Sequence, residues 1–452
     1  MLKHTLLVAG MAAAALPLSA QENYSGYFLE NYVYRHQLNP AFTGCEHGFV
    51  GMPGIGNLNF GLHGNLDLTD VLYNLDGRTV LFTNPGISSQ EALSKFDLQN
   101  KIEFGTRLHV INFGFSGIGG FNTVGINVVA AGNVSVPYSL FELAKEGVAN
   151  QTYELSGLQA NAMAYAEVSL NHSHNIRALP GLRIGATVKF LIGAGNLEAK
   201  VNQLTMTLGK DKWTAQSNAE LYASVKNMSF KTKYSDFSKQ KYVSGIDIDK
   251  FGIDGFGVGF DIGAQYRWND FNFSAALLDL GFINYSDTHY ATTGDQTIDT
   301  DAFYFTVGDS KAPQGWSDMR ENLLKLVQLT TDNENLGNRN RSLTSTLNVG
   351  VDYTFPLYRK LNFGLLSSTR FCGDFTRTQM RVSANVHPAK AFSASVNGVF
   401  DTFGVGFGWM LNLHTKGFNL FLGMDQTFSK LAKQGVPLGS NAQVNFGMNF
   451  PF

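Results

Sequence analysis

Apolar and polar residues alternate with a period of two along most of this chain. In the last stretch Val444, Phe446, Met448, Phe450 and Phe452 alternate with Gln443, Asn445, Gly447, Asn449 and Pro451. That period places one set on one face of a β-strand and the other set on the opposite face. A strand of about ten residues is long enough to cross a bilayer at a tilt. The pattern recurs. Phe256, Val258, Phe260, Ile262, Tyr266 and Trp268 oppose Gly257, Gly259, Asp261, Gln265 and Arg267. Leu182, Ile184, Val188 and Phe190 oppose Arg183, Gly185, Thr187 and Lys189. Leu347, Val349, Val351 and Tyr353 oppose Asn348, Gly350 and Asp352, and Met380, Val382 and Val386 oppose Arg381, Ser383 and Asn385. Between Leu158 and Asn171, alanines and Val168 oppose Gln159, Asn161, Glu167 and Asn171.

Any one of these segments suits a half-buried strand of a soluble sandwich. Together they do not, because a sandwich buries all its apolar faces in one core about 10 Å thick. Too many long apolar faces are present, and glycine crowds the opposite side. The sequence therefore predicts an all-β fold, a transmembrane antiparallel outer-membrane β-barrel of about 14 strands within a range of about 12 to 16. A single-chain barrel favours an even number. Tyr266, Trp268, Tyr353, Phe355 and Trp409 are expected in an aromatic girdle at strand ends.

Other segments lack the alternation. Residues 21–47 are polar, aromatic and irregular, and are expected to plug the lumen of a barrel formed by residues 48–452. Pro137 followed by Tyr138 to Gly147 predicts a short helix, with proline at its start and glycine past its end. Residues 286–341 form a long loop insertion with a helix expected from Trp316 to Thr330. Lys200 to Val225 reads as a polar hairpin reaching beyond the membrane. Gly117-Ile118-Gly119-Gly120 reads as a turn, because it lacks the strand-to-helix context of a phosphate loop.

The first twenty residues predict a secretory signal peptide. Lys3 precedes an apolar run from Thr5 to Leu16, and small residues lead to Ala20. The run is shorter than the ~20 residues a spanning helix needs. Composition agrees with an exported barrel. Charged residues are 15% of the chain, against about 25% in ordinary soluble domains. The formal net charge of −2 argues against nucleic acid as a partner. Two cysteines, Cys45 and Cys372, carry no metal spacing. Export permits a disulfide between them, and inert thiols are the alternative.

Little in the chain carries catalytic chemistry, and the sequence reads as a non-enzyme without cofactor or metal. His172 and His174 share a strand face but lack a carboxylate or cysteine partner, so they read as loop histidines. The candidate contacts between lumen and plug are Glu30, Arg35, Asn39, Glu167, Arg183, Lys189, Asp261, Arg267, Asp352, Arg370 and Arg381, with Asp425 beside them. Both signs of charge occur there, whereas an ion-selective pore favours one. Paired bracing is the expectation, since isolated charges in a crowded lumen are costly.

Several stretches carry a resemblance. Tyr27-Phe28-Leu29-Glu30-Asn31, Leu38-Asn39-Pro40-Ala41-Phe42, Pro53-Gly54-Ile55-Gly56-Asn57, Leu66-Asp67-Leu68-Thr69-Asp70 and Leu278-Asp279-Leu280-Gly281-Phe282-Ile283 resemble a Bacteroidota family of outer-membrane barrels of unknown function. Asn284-Tyr285 departs from that pattern, where a tryptophan follows the isoleucine. The family is similar to FadL-type transporters of hydrophobic compounds and to the PorV-type barrels of type IX secretion. The resemblance implies binding or transport of a small hydrophobic molecule across the outer membrane. The alternative is a non-transporting accessory or scaffold barrel of an envelope complex. The final strand ending on Phe452 also resembles the signal read by the outer-membrane assembly machinery. That machinery, outer-membrane lipid, and a hydrophobic ligand or an envelope protein are the implied partners.

Overall fold

A computed structural model describes residues 23–44, 48–147, 150–209, 212–234, 240–301, 328–332, 335–427 and 441–452. The signal segment, Cys45 and most of the helix expected from Trp316 lie outside these residues, so the Cys45–Cys372 alternatives are not addressed.

Alternation becomes strand nearly everywhere it occurs. β1 (Gly48–Gly51) and β2 (Leu58–Gly64) form one interrupted wall strand, and β3 (Leu72–Leu75) and β4 (Arg78–Leu81) make a hairpin beyond it. The wall continues through β5 (Gln99–Gly117) and β6 (Gly120–Pro137). β7 (Gln151–Glu154) is a short loop strand, followed by β8 (Gln159–Asn175) and β9 (Leu182–Leu208). β10 (Lys212–Ser224), β11 (Met228–Tyr234) and β12 (Lys241–Ile248) stand outside the wall. β13 (Gly255–Trp268) and β14 (Phe271–Tyr285) return to it, and β15 (Thr288–Thr292) and β16 (Gln296–Asp301) leave it again. β17 (Arg339–Ser342) and β18 (Ser345–Thr354) share one wall position. β19 (Leu361–Phe371), β20 (Arg377–Ala389), β21 (Phe392–Asp401), β22 (Gly404–Thr415), β23 (Phe418–Thr427) and β24 (Ala442–Pro451) complete it.

The sheet closes on itself. β24 pairs with β23 on one side and with β1 and β2 on the other, Gly51 opposite Asn449 and Phe60 opposite Val444. With β1/β2 and β17/β18 each counted once, the closed antiparallel barrel has 14 strands. Closure pairs the backbone groups of every wall strand, which a hydrocarbon environment requires. Phe113, Phe190, Phe260, Phe273, Val349, Val382 and Leu422 point outward and stay exposed. An apolar belt of this extent suits lipid, not water. The inner face carries buried Asn59, Asn112, Asn127, Asn348, Asn385, Asn445 and Asn449.

Short turns lie at the end where Gly48 accepts the Phe452 amide, at Ile118-Gly119, Asn269-Asp270, Lys390-Ala391 and Lys416-Gly417. Barrels of this type place short turns in the periplasm and long loops outside. Trp268, Tyr353 and Phe355 fall at that end. Trp409 does not, and its expected girdle place is corrected. It sits mid-way along β22 opposite Val396 and Met424, because β22 runs on to Thr415.

The helix Tyr138–Glu146 forms with Pro137 as N-cap and Gly147 at φ +75°. The polar hairpin is the upper part of β9 with β10. β9 has 27 residues; at about 3.3 Å each it spans roughly 90 Å, three times the ~30 Å hydrocarbon core. β15 and β16 pair along β10, so the start of the 286–341 insertion is sheet. A small core of Tyr73, Phe82, Ile87, Ala92, Leu93 and Phe96 packs under the β3–β4 hairpin. No sequence pattern singled it out.

Candidate functional site

The aperiodic N-terminal residues lie inside the barrel. Tyr24–Gly26 and Val33–Gln37 form 3₁₀ turns, and Tyr27, Leu29, Tyr34 and Leu38 are wholly buried. The segment bonds to strands around the circumference. The Tyr24 and Ser25 amides both donate to the Asp425 carboxylate, at 2.6 Å each. Asn39 Nδ2 donates to the Ala264 and Ala275 carbonyls at 3.1 and 3.2 Å. Asn348 Nδ2 donates to the Leu38 carbonyl at 2.9 Å, and Asn412 Nδ2 to the Asn31 carbonyl at 3.0 Å. Gln37 meets His109 at 3.2 Å. Burial pushes the His36 imidazole down to about 4, which keeps it neutral, with Nδ1 3.2 Å from the Val33 carbonyl.

Wall glycines admit this segment. A methyl group on Gly185 would overlap the Pro40 carbonyl, and one on Gly364 would overlap the Phe28 ring. Overpacking of this kind costs about 1–3 kcal/mol. Gly185→Ala is expected to lower the temperature at which the folded, fast-migrating gel band converts to the unfolded one. Gly398→Ala, whose added methyl meets open space, is expected to leave it unchanged.

Above the segment lies a cavity of about 570 Å³, floored by Tyr24, His36 and Gln37. One side is apolar, from Val129, Met163, Tyr165 and Leu343, which pack together. The other carries charge. Lys189 Nζ sits 2.8 Å from Asp261 and 2.5 Å from Asp279. Arg107 lies 3.6 Å from Glu167 and 4.0 Å from Asp279. Asp261 also accepts the Asp279 amide at 2.7 Å, and Glu167 accepts from Asn127 at 2.9 Å. Arg370 lies 3.5 Å from Glu103. Lys189, Asp261 and Glu167 are nearly sealed from solvent.

The remaining sequence candidates lie outside that cavity. Arg381 joins the Asp425 carboxylate that holds Tyr24 and Ser25, with Nη1 3.4 Å from Asp425 and 2.9 Å from Asn397. Arg35 stays within the N-terminal segment, its Nε donating to the Tyr27 carbonyl at 3.0 Å and its guanidinium 4.2 Å over the Phe42 ring. Asp352 accepts from Asn272 at 2.9 Å. Arg183 and Arg267 lie low, near the short turns. Arg267 pairs with Glu30 at 2.7 Å, both well exposed, so that pair contributes about 0–1 kcal/mol. His172 and His174 are 3.2 Å apart, and no metal-holding group of side chains occurs among the described residues.

Sequence reasoning did not single out Glu103, Arg107 or Asp279 as site residues. The first two had a signal, since Glu103, Gly105, Arg107 and His109 alternate with Phe104, Thr106 and Leu108 in β5. Asp279 had none. It has φ +56° at a bulge where the β13–β14 register shifts. The bulge turns a residue of the outward phase inward.

A model of a family of unknown function, DUF5723, matches residues 40–425. The chain belongs to that family. A comparison with curated proteins matches none. Among solved structures, the barrel of this family member is similar to a Pseudomonas aeruginosa FadL homologue, with 10% identity, 96% of this chain and 98% of that one covered, and a TM-score of 0.41. It is also similar to the Ralstonia pickettii toluene transporter TbuX, at 9% identity, 89% and 88% coverage and a TM-score of 0.40. The Pseudomonas putida toluene transporter TodX gives 8% identity, 92% coverage of both chains and a TM-score of 0.40. Likeness at this level says nothing of what this chain carries.

Proposed function

We propose that this protein is an outer-membrane barrel that takes a small amphiphilic molecule into the cavity above its N-terminal segment, which acts as a plug. The observation that carries this reading is the two-sided lining. Val129, Met163, Tyr165 and Leu343 offer an apolar wall, and Arg107, Glu167, Lys189 and Arg370 offer a charged one. Small-molecule sites combine apolar surface with a few placed polar groups in this way. A purely hydrophobic cargo would strand the charged side. A purely polar one would gain nothing from the apolar side.

Hexanol, hexanoate and hexylamine titrated into the protein in lipid nanodiscs test the reading, with empty nanodiscs as reference. Saturable heat is expected for at least one probe, weakened tenfold or more by Leu343→Asn. No saturable binding above the reference for any of the three sinks the proposal.

A second reading, an accessory barrel of an envelope complex, draws on the tall β9–β10 sheet, which offers a surface well above the membrane. A stoichiometric protein partner, lost when that hairpin is shortened, would favour it.

A further inference from the structure

A second cavity, of about 620 Å³, opens at the short-turn end, on the opposite side of the N-terminal segment from the first. Arg35, Arg183, Arg267, His174 and Glu30 line it. Three guanidiniums and one carboxylate thus line it, Arg267 already holds that carboxylate at 2.7 Å, and the Asp352 carboxylate lies near enough to act on Arg35 and Arg267. Arg183 is half-buried at the start of β9. Among the described residues it bonds only Ser173, its Nη2 donating to the carbonyl at 3.4 Å and to Oγ at 3.0 Å. Its Nε is buried with no partner. Arg35 is almost fully buried, and only its Nε donates to a described residue, the Tyr27 carbonyl. His174 spends Nδ1 on His172, 3.2 Å away.

A guanidinium drawn out of water without a counter-charge is costly, and Arg183 has no charged neighbour of its own among the described residues, whereas Arg35 feels Glu30 and Asp352. Two in one cavity, both with donors to spare, call for an acceptor that supplies charge and several oxygens. The planar forks of arginine match oxyanions in that way. We propose that the periplasmic mouth of the barrel binds a phosphate group through Arg183 and Arg35. The group comes either free, as inorganic phosphate, or as the headgroup of an inner-leaflet phospholipid. The site is independent of the upper cavity, and neither proposal requires the other.

Two arms separate the sources. Delipidated protein in detergent is titrated with inorganic phosphate by calorimetry, and protein extracted without delipidation is examined by native mass spectrometry for retained phosphatidylglycerol. Saturable phosphate binding in the first arm, or lipid retention in the second, is expected. Either should fall at least tenfold in Arg183→Gln. Arg183→Lys keeps the charge but loses the fork, and should weaken binding as well. Heat-modifiable gel mobility verifies that each variant is folded. Absence of both phosphate binding and retained anionic lipid overturns the proposal. So does binding that Arg183→Gln and Arg183→Lys leave unchanged.

Discussion

A chain lacking residues 23–44 is expected to insert and form a steadily conducting pore in planar bilayers, where the full-length protein stays closed. Barrel bore grows with strand number. About eight strands are filled by their own side chains, and 16–18 leave an aqueous channel. Fourteen strands leave more room than the wall side chains occupy, and here the N-terminal segment takes up the difference. The wall keeps its own ladder when the segment goes, because every strand pairs with two neighbours. What is lost is the packing of Tyr27, Phe28, Tyr32, Tyr34 and Phe42. The luminal asparagines left behind are polar enough to be wetted. Single-channel recording decides the matter, with heat-modifiable mobility as the check on folding. A folded but closed deletion variant would place the seal in the outer loops instead. A smaller version of the effect is expected from Asp425→Ala, which frees the Tyr24 and Ser25 amides. Brief openings should then replace silence.

The second large effect is expected from Lys189→Met. Its ammonium lies between Asp261 and Asp279, and all three line the upper cavity. Removing one partner of a buried ion pair costs about 3–5 kcal/mol, because the charge left behind is neither solvated nor compensated. Here two carboxylates are left. Urea unfolding in lipid should show the loss. Asp279 keeps Arg107 at 4.0 Å, so Asp261 is the carboxylate left alone; combining Lys189→Met with Asp261→Asn and Asp279→Asn removes both carboxylates and should recover most of the loss. If the triple variant is no more stable than Lys189→Met alone, the cluster is not held together by charge pairing.

Much of the wall was legible because alternation is a local property. A strand facing lipid outward and amide side chains inward writes its two faces into adjacent letters, as Val444 to Phe452 do. The Tyr138–Glu146 helix was legible for a similar reason, since Pro137 and Gly147 mark its ends nearby. The lumen was harder to read. The Tyr24–Asp425 bond joins residues 401 apart, and no short window records that distance. Asp279 escaped because one positive φ reverses which residues face inward along the rest of β14. Trp409 was misplaced because girdle positions depend on where a strand stops, and turn residues fix that less sharply than alternation fixes its faces. The charge pairs were foreseen as a class, but their partners depend on strand register around the barrel.

The bonds of the N-terminal segment also constrain the order of assembly. It precedes every wall strand in the chain, yet it rests on Ala264 and Ala275 in β13 and β14, Asn348 in β18, Asn412 in β22 and Asp425 in β23. None of those strands exists as a surface until the later part of the chain has been laid into the sheet. The segment must therefore wait for strands far later in the chain before it docks. Filling of the interior is then expected to be a late folding event, following formation of β22 and β23.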